Sequence, residues 1–163
     1  MNGAEERDAA VGVGVTAGGP PEEVHKTMRE AHGIDRDDRQ ATAERMVEVA
    51  LGHCQILEDL DYGPGHIKVS LKATDVLTNI LANRLFADAR PYPIHLGVTE
   101  SGPVRAGSIR SAIGLGILLS EGIGDTIRIS LATDDPTEEI RVGYEVLKTL
   151  AFRNESATLV ACP

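Results

Sequence analysis

Short runs rich in valine and isoleucine alternate along this chain with longer helical patterns, and that alternation restricts the fold to architectures built on parallel strands. Residues 11–16, 66–72, 92–100, 126–132 and 157–161 are the strand candidates. They lack strict polar alternation, which suits parallel strands covered on both faces. Between them, residues 42–60 set Met46, Val47, Leu51, Cys54 and Leu57 along one helix face. A second helix is predicted over 75–87 with Thr74 or Asp75 as cap, a third over 108–121 ending at Gly122, and a fourth over 136–151 opened by Asp135 and Pro136. No internal repeat is visible, and residues 18–40, with Gly-Gly-Pro-Pro and a charged stretch at 35–39, read as a linker. The order β-α-β-α-β-α-β-α-β implies parallel strands joined by right-handed crossovers. An open doubly wound sheet and part of a closed barrel both satisfy it.

Length and charge narrow the choice of partners. A chain of 163 residues buries one core, whereas a complete eight-stranded α/β barrel takes roughly 250 residues. Lys+Arg 16 against Asp+Glu 25 gives a net charge of -9, which argues against nucleic acid or an anionic membrane surface as partner. An anionic ligand would therefore need a local basic site. The apolar run 113–119 is too short to span a bilayer. The start, MNGAEERDAA, lacks a basic region followed by an apolar one, so a cytoplasmic address is expected, with residues 1–10 as a disordered tail. Two cysteines, Cys54 and Cys162, fit a reducing compartment.

Side chains with chemistry gather on these strands. Lys68, Ser70 and Lys72 alternate with Ile67, Val69 and Leu71 and so share a face. Two lysines turned inward are costly to bury unless an anion meets them; a polar face turned outward is the alternative. Arg128 and Ser130 alternate with Ile127, Ile129 and Leu131. A guanidinium and a hydroxyl on one face can hold a phosphate, or the arginine can pair with a carboxylate at the rim. Thr99 and Glu100 end the third run, where a carboxylate can act as general acid or remain a solvated loop or capping group. Asp75 can cap the next helix or pair with Lys72, and capping is the expected role.

Gly12-Val13-Gly14-Val15-Thr16-Ala17 fits the dinucleotide pattern G-x-G-x-x-G/A but fails on context. Its glycines fall inside a strand, and Gly18-Gly19-Pro20-Pro21 follows where a helix N-terminus should receive the pyrophosphate. Cys54, on an apolar helix stripe, is expected in the core. His25, His32, His53 and His66 form no pattern, and His95, opening a strand, is expected to be structural.

The stretch 95–131, HLGVTESGPVRAGSIRSAIGLGILLSEGIGDTIRISL, with KVSLKATD at 68–75 and the terminal ACP at 161–163, resembles the 4-hydroxy-3-methylbut-2-enyl diphosphate synthase family, iron-sulfur enzymes of the non-mevalonate isoprenoid pathway. The likeness is dense after Asp59, looser before it, and reaches only the middle of those enzymes. It implies an α/β fold that is a partial TIM-type (β/α) barrel over residues 11–163, about the last five strands with their helices, with the iron-sulfur domain absent. By the same resemblance Glu100, in the family's T-E-A/S-G motif, delivers a proton during loss of a hydroxyl group. Thr16, Lys72, Thr99, Arg128 and Ser130 would bind substrate. Cys162 matches the first ligand of a [4Fe-4S] cluster in the family's A-C-P-T-C, a cluster this chain alone is not expected to hold.

Thr16 stands where the family has a substrate-contacting asparagine, and Gly19 where it has serine. Threonine keeps a hydrogen bond but lacks the amide's reach and second donor. The complete enzyme implied by the resemblance is a homodimer that reductively converts 2-C-methyl-D-erythritol 2,4-cyclodiphosphate to 4-hydroxy-3-methylbut-2-enyl diphosphate, with electrons from flavodoxin or ferredoxin. The competing reading is a non-catalytic remnant or split module that binds a diphosphate or a complementary chain. A barrel for another phosphorylated metabolite rests on fold analogy alone.

Overall fold

The computed structural model describes residues 11–17 and 39–153. Within them lie four strands: β1 Val11–Ala17, β2 Ile67–Ala73, β3 His95–Gly97 and β4 Thr126–Arg128. They alternate with the helices α1 Arg39–Asp59, α2 Val76–Ala89, α3 Val104–Ser120 and α4 Thr137–Thr149. The expected strand at 157–161, the tail at 1–10, linker residues 18–38 and Cys162 lie outside the described residues.

β1 and β2 pair in parallel from Val11 with Ile67 to Ala17 with Ala73. β3 and β4 pair in parallel through His95 with Thr126, Leu96 with Ile127 and Gly97 with Arg128. β2 and β3 share no continuous ladder: they meet at a bridge between Val69 and Ile94, where Val69 N–H donates to Pro93 O at 2.9 Å, and again where Thr99 N–H donates to Ala73 O at 3.3 Å. The strands therefore lie side by side in chain order. A doubly wound sheet reverses its order at a switch point, whereas an arc of a barrel runs on in sequence. The observed order is that of the arc.

Burial along β2 alternates. Ile67, Val69, Leu71 and Ala73 are buried against the helices, while Lys68 is exposed and Ser70 and Lys72 are half-buried on the opposite face. The shared polar face expected for Lys68, Ser70 and Lys72 is thus present, opposite the apolar face that the helices cover. Phe86 of α2 and Leu115 and Leu118 of α3 are fully buried in the core on the helix side, each such side chain contributing about 1.5–3 kcal/mol. α3 approaches β3 closely at Gly114, where a Cβ would lie 3.0 Å from Val98 Cγ2.

Local chemistry explains most boundaries. Asp75 caps α2, its Oδ2 accepting from Thr78 N–H at 2.9 Å and from Thr78 Oγ1 at 2.8 Å. Burial pushes the Asp75 carboxyl up, but these bonds and the Arg39 guanidinium outweigh it and hold the group below its ordinary value. α3 ends as expected at Gly122, whose φ is 78; Gly122 N–H donates to Leu119 O and Ile123 N–H to Leu118 O, both at 3.0 Å, the two bonds of a Schellman turn.

The strand expected at 92–100 shortens to His95–Gly97, since Pro91 and Pro93 lack a ladder donor and the chain turns at Glu100, φ 51. The strand expected at 126–132 ends at Arg128, and Leu131 N–H turns instead to Glu139 Oε1 of α4 at 2.8 Å. α3 begins at Val104 rather than Ser108 because Pro103 supplies its start, Gly107 N–H donating to Pro103 O at 2.7 Å.

Candidate anion-binding site

The polar face of the arc is built from residues two apart on each strand. Thr16 of β1 is the register partner of Lys72. Lys72 reaches across β3 at Gly97: a Cβ on Gly97 would lie 3.1 Å from Lys72 Cε, 3.3 Å from Nζ and 2.9 Å from Arg128 O. Gly97 is also the register partner of Arg128. Lys72 and Arg128 are thus brought together over a residue whose missing side chain makes the room.

Their charges act on one another. Burial first, then the positive charges of Arg128 and Lys68, lower the Lys72 ammonium below its ordinary value. Burial, followed by Lys72, Lys68 and Arg128, likewise lowers the His95 imidazole. His95 Nδ1 lies 2.7 Å from Thr126 Oγ1, and its backbone O accepts from Ser70 Oγ at 3.1 Å. Among the described residues no carboxylate lies within ion-pair distance of Lys68, Lys72 or Arg128, although the chain carries a net charge of -9. Cations gathered on one face and left without an ion-pair partner create a field that attracts an anion.

Glu100 and Thr99 sit at the same strand ends. Thr99, half-buried, follows β3, and Thr99 N–H reaches back to Ala73 O at the end of β2. Glu100 is exposed, and its Oε2 accepts from Thr74 Oγ1 at 3.3 Å. Its left-handed backbone, φ 51, costs a non-glycine residue on the order of 1–3 kcal/mol. The turn beneath it is braced by fully buried Ser101, whose Oγ donates to Val98 O at 3.0 Å and whose O accepts from Arg110 Nη1 at 3.0 Å. Ser130 is half-buried two residues beyond Arg128, with Ile129 buried between them.

Two contributors were not assigned to the site from the sequence; Lys68 was legible there on the face of Lys72, and its charge does act on Lys72. His95 was expected to be structural, yet it faces the cations; its alternation with Leu96 was the available signal. Thr74 was considered only as a cap, whereas its hydroxyl holds Glu100 and Asp75 alone caps α2.

Gly12 and Gly14 lie inside β1, and a Cβ on either meets nothing within 4 Å, so the dinucleotide pattern has no turn to work with. Cys54 is fully buried in the core, where burial and then Glu58 push its thiol up, against a smaller opposing effect of Arg90. No group of three or more His, Cys, Asp or Glu among the described residues is arranged to hold a metal ion. The described residues therefore do not fit a [4Fe-4S] cluster, which takes three or four convergent ligands. No helix among them is long and apolar enough to cross a membrane.

The relatives of the chain bear on this site. The chain is 48% identical over 160 residues to the 4-hydroxy-3-methylbut-2-en-1-yl diphosphate synthase (flavodoxin) of Geobacter sulfurreducens, covering 98% of this chain and 42% of that protein. It is 49% identical over 160 residues to the enzyme of the same name from Magnetococcus marinus, covering 98% of this chain and 40% of that protein. With the Haemophilus influenzae enzyme of that name the identity is 44% over 160 residues, 98% of this chain and 43% of the relative. The chain thus spans well under half the length of these curated relatives. A family model described as the GcpE TIM-barrel domain matches residues 1–144, and with these identities it shows that the chain belongs to the GcpE TIM-barrel domain family of 4-hydroxy-3-methylbut-2-enyl diphosphate synthases.

Proposed function

We propose that this chain is the diphosphate-binding arc of a 4-hydroxy-3-methylbut-2-enyl diphosphate synthase barrel, comprising about the last five strands, in an enzyme that converts 2-C-methyl-D-erythritol 2,4-cyclodiphosphate. The observation that carries the reading is the cluster of Lys68, Lys72, His95 and Arg128 at Gly97, in which no cation is ion-paired to a carboxylate among the described residues. Lys72 offers the diphosphate a compact charge and Arg128 a planar fork. Hydroxyls of Thr16, Thr99 and Ser130 complete the set. Thr16 gives one hydrogen bond where the family's asparagine gives more.

Glu100 is the proton donor in this reading. As the substrate's C–O bond breaks, the carboxyl proton passes to the departing oxygen, which leaves as water. The hydrogen bond from Thr74 restrains the carboxylate beside the strand ends that carry the cations. The reaction also consumes two electrons; the relatives' name gives flavodoxin, and ferredoxin is the other candidate donor. A [4Fe-4S] cluster, with Cys162 as one ligand, serves the complete homodimeric enzyme in the cytoplasm. The described residues bind the anion and hold the proton.

Calorimetric titration of the full chain with inorganic pyrophosphate tests the site. Lys72→Met and Arg128→Met are each expected to weaken binding by roughly tenfold or more, since a hydrogen-bonded charge to an anion is worth about 1.5–3 kcal/mol. Wild-type affinity in both variants would refute the reading.

A further inference from the structure

Two asparagines on α2, Asn79 and Asn83, are fully buried on the helix side of the sheet, and both aim at the backbone of β2. Asn83 Nδ2 donates to Leu71 O at 3.0 Å and to Asn79 O at 2.8 Å. Asn79 Oδ1 accepts from Ala73 N–H at 3.1 Å. Leu71 and Ala73 are the residues on either side of Lys72. In a parallel sheet the N–H and C=O of alternate residues point to the same neighbour, and Val69 N–H and Ala73 O point to β3. Leu71 O and Ala73 N–H therefore face the seam where β2 and β3 share no continuous ladder. The two side-chain amides occupy that break.

The pairing is not one that packing alone would favour. Asn79 Nδ2 and Asn83 Oδ1 are buried without a partner among the described residues, and an orphaned buried polar atom is destabilising. An apolar pair of the same size would fill the space but leave Leu71 O and Ala73 N–H unpaired. It is at this same seam that the Lys72 side chain crosses to Gly97 and Arg128.

We infer that Asn79 and Asn83 are positioning residues for the anion site: by gripping the backbone on both sides of Lys72 across the β2–β3 seam, they set the line along which its ammonium reaches Arg128. The inference rests on the anion-binding reading of Lys72 given above. It makes one atom of each asparagine essential, Nδ2 of Asn83 and Oδ1 of Asn79. The other atom of each is dispensable.

A double-mutant cycle read by calorimetric titration of the full chain with inorganic pyrophosphate tests it. Asn83→Leu, which keeps size but removes the donor, is expected to weaken pyrophosphate roughly tenfold. Asn79→Asp, which keeps the acceptor for Ala73 N–H, should stay within about threefold of wild type. In a Lys72→Met background Asn83→Leu should add less than about twofold, because a residue that acts through Lys72 has nothing left to act on. Wild-type affinity in Asn83→Leu overturns the inference, and so does an undiminished tenfold loss in the Lys72→Met background. If Asn83→Leu does not fold, Asn83→Ser, with a shorter donor, is read through the same cycle. Failure of the anion-site reading looks different: Lys72→Met itself then binds like wild type, and the inference falls with it.

Discussion

The ammonium of Lys72 lies 3.3 Å from the point where Gly97 would carry a Cβ, so a lysine of one strand crosses its neighbour over a residue with no side chain. Gly97→Ala closes that passage, pressing also on Arg128 O at 2.9 Å. Overpacking of this kind costs about 1–3 kcal/mol. The variant is expected to unfold at lower urea and to bind pyrophosphate several-fold more weakly. Unchanged urea midpoint and affinity would show that Lys72 does not take this path.

Arg128→Lys retains the charge but loses the fork. Since Lys and Arg are not equivalent at a bidentate site, pyrophosphate affinity should fall by roughly tenfold, a loss visible by calorimetry. A lysine that binds as well as the arginine would make Arg128 a point charge only.

His95 faces Lys68 and Lys72 on β2 and Arg128 on β4, with Ser70 and Thr126 as neutral neighbours, and burial with these cations lowers its imidazole below the ordinary 6.5. The unfolded chain therefore binds more protons than the folded one between the depressed value and 6.5, and stability rises with pH across that window. Lowering the pH through it should lower the urea midpoint, and His95→Gln should flatten the dependence. A midpoint that rises on acidification would contradict the assignment. Lys72, lowered from 10.5, acts with the same sign at the alkaline end, where deprotonation relieves repulsion.

Glu100→Gln, made in a full-length enzyme carrying this sequence, removes the proton but keeps the shape and the bond to Thr74. Loss of a general acid lowers kcat by about 10²-fold or more. KM should change little in steady-state kinetics with a reduced donor. Normal kcat with raised KM would assign Glu100 to ground-state binding.

The 163-residue chain carries two cysteines, of which Cys54 is sealed in the core. Anaerobic reconstitution of this chain is expected to yield iron and sulfide far below four of each per chain, the content of the cluster. Near-stoichiometric loading would require ligands among residues not yet assigned to it.

Much of the frame was legible in the sequence because it rests on local rules. The β-α alternation, the polar face shared by Lys68, Ser70 and Lys72, the Asp75 cap and the Gly122 stop follow from side-chain period and from hydrogen bonds to nearby backbone. The lengths of β3 and β4 were less legible: apolar composition extends beyond them, but the prolines before His95 and the turn at Glu100 end the ladder.

What only the tertiary structure decided is which strand lies beside which, and in what register. Register sets Gly97 between Lys72 and Arg128, turns His95 toward the cations and leaves a break in the β2–β3 ladder that Asn79 and Asn83 fill. No local pattern encodes those meetings. They arise because α2 and α3 must bury their apolar faces against β2 and β3 at the same time, and that shared packing fixes the offset of strands far apart in the chain.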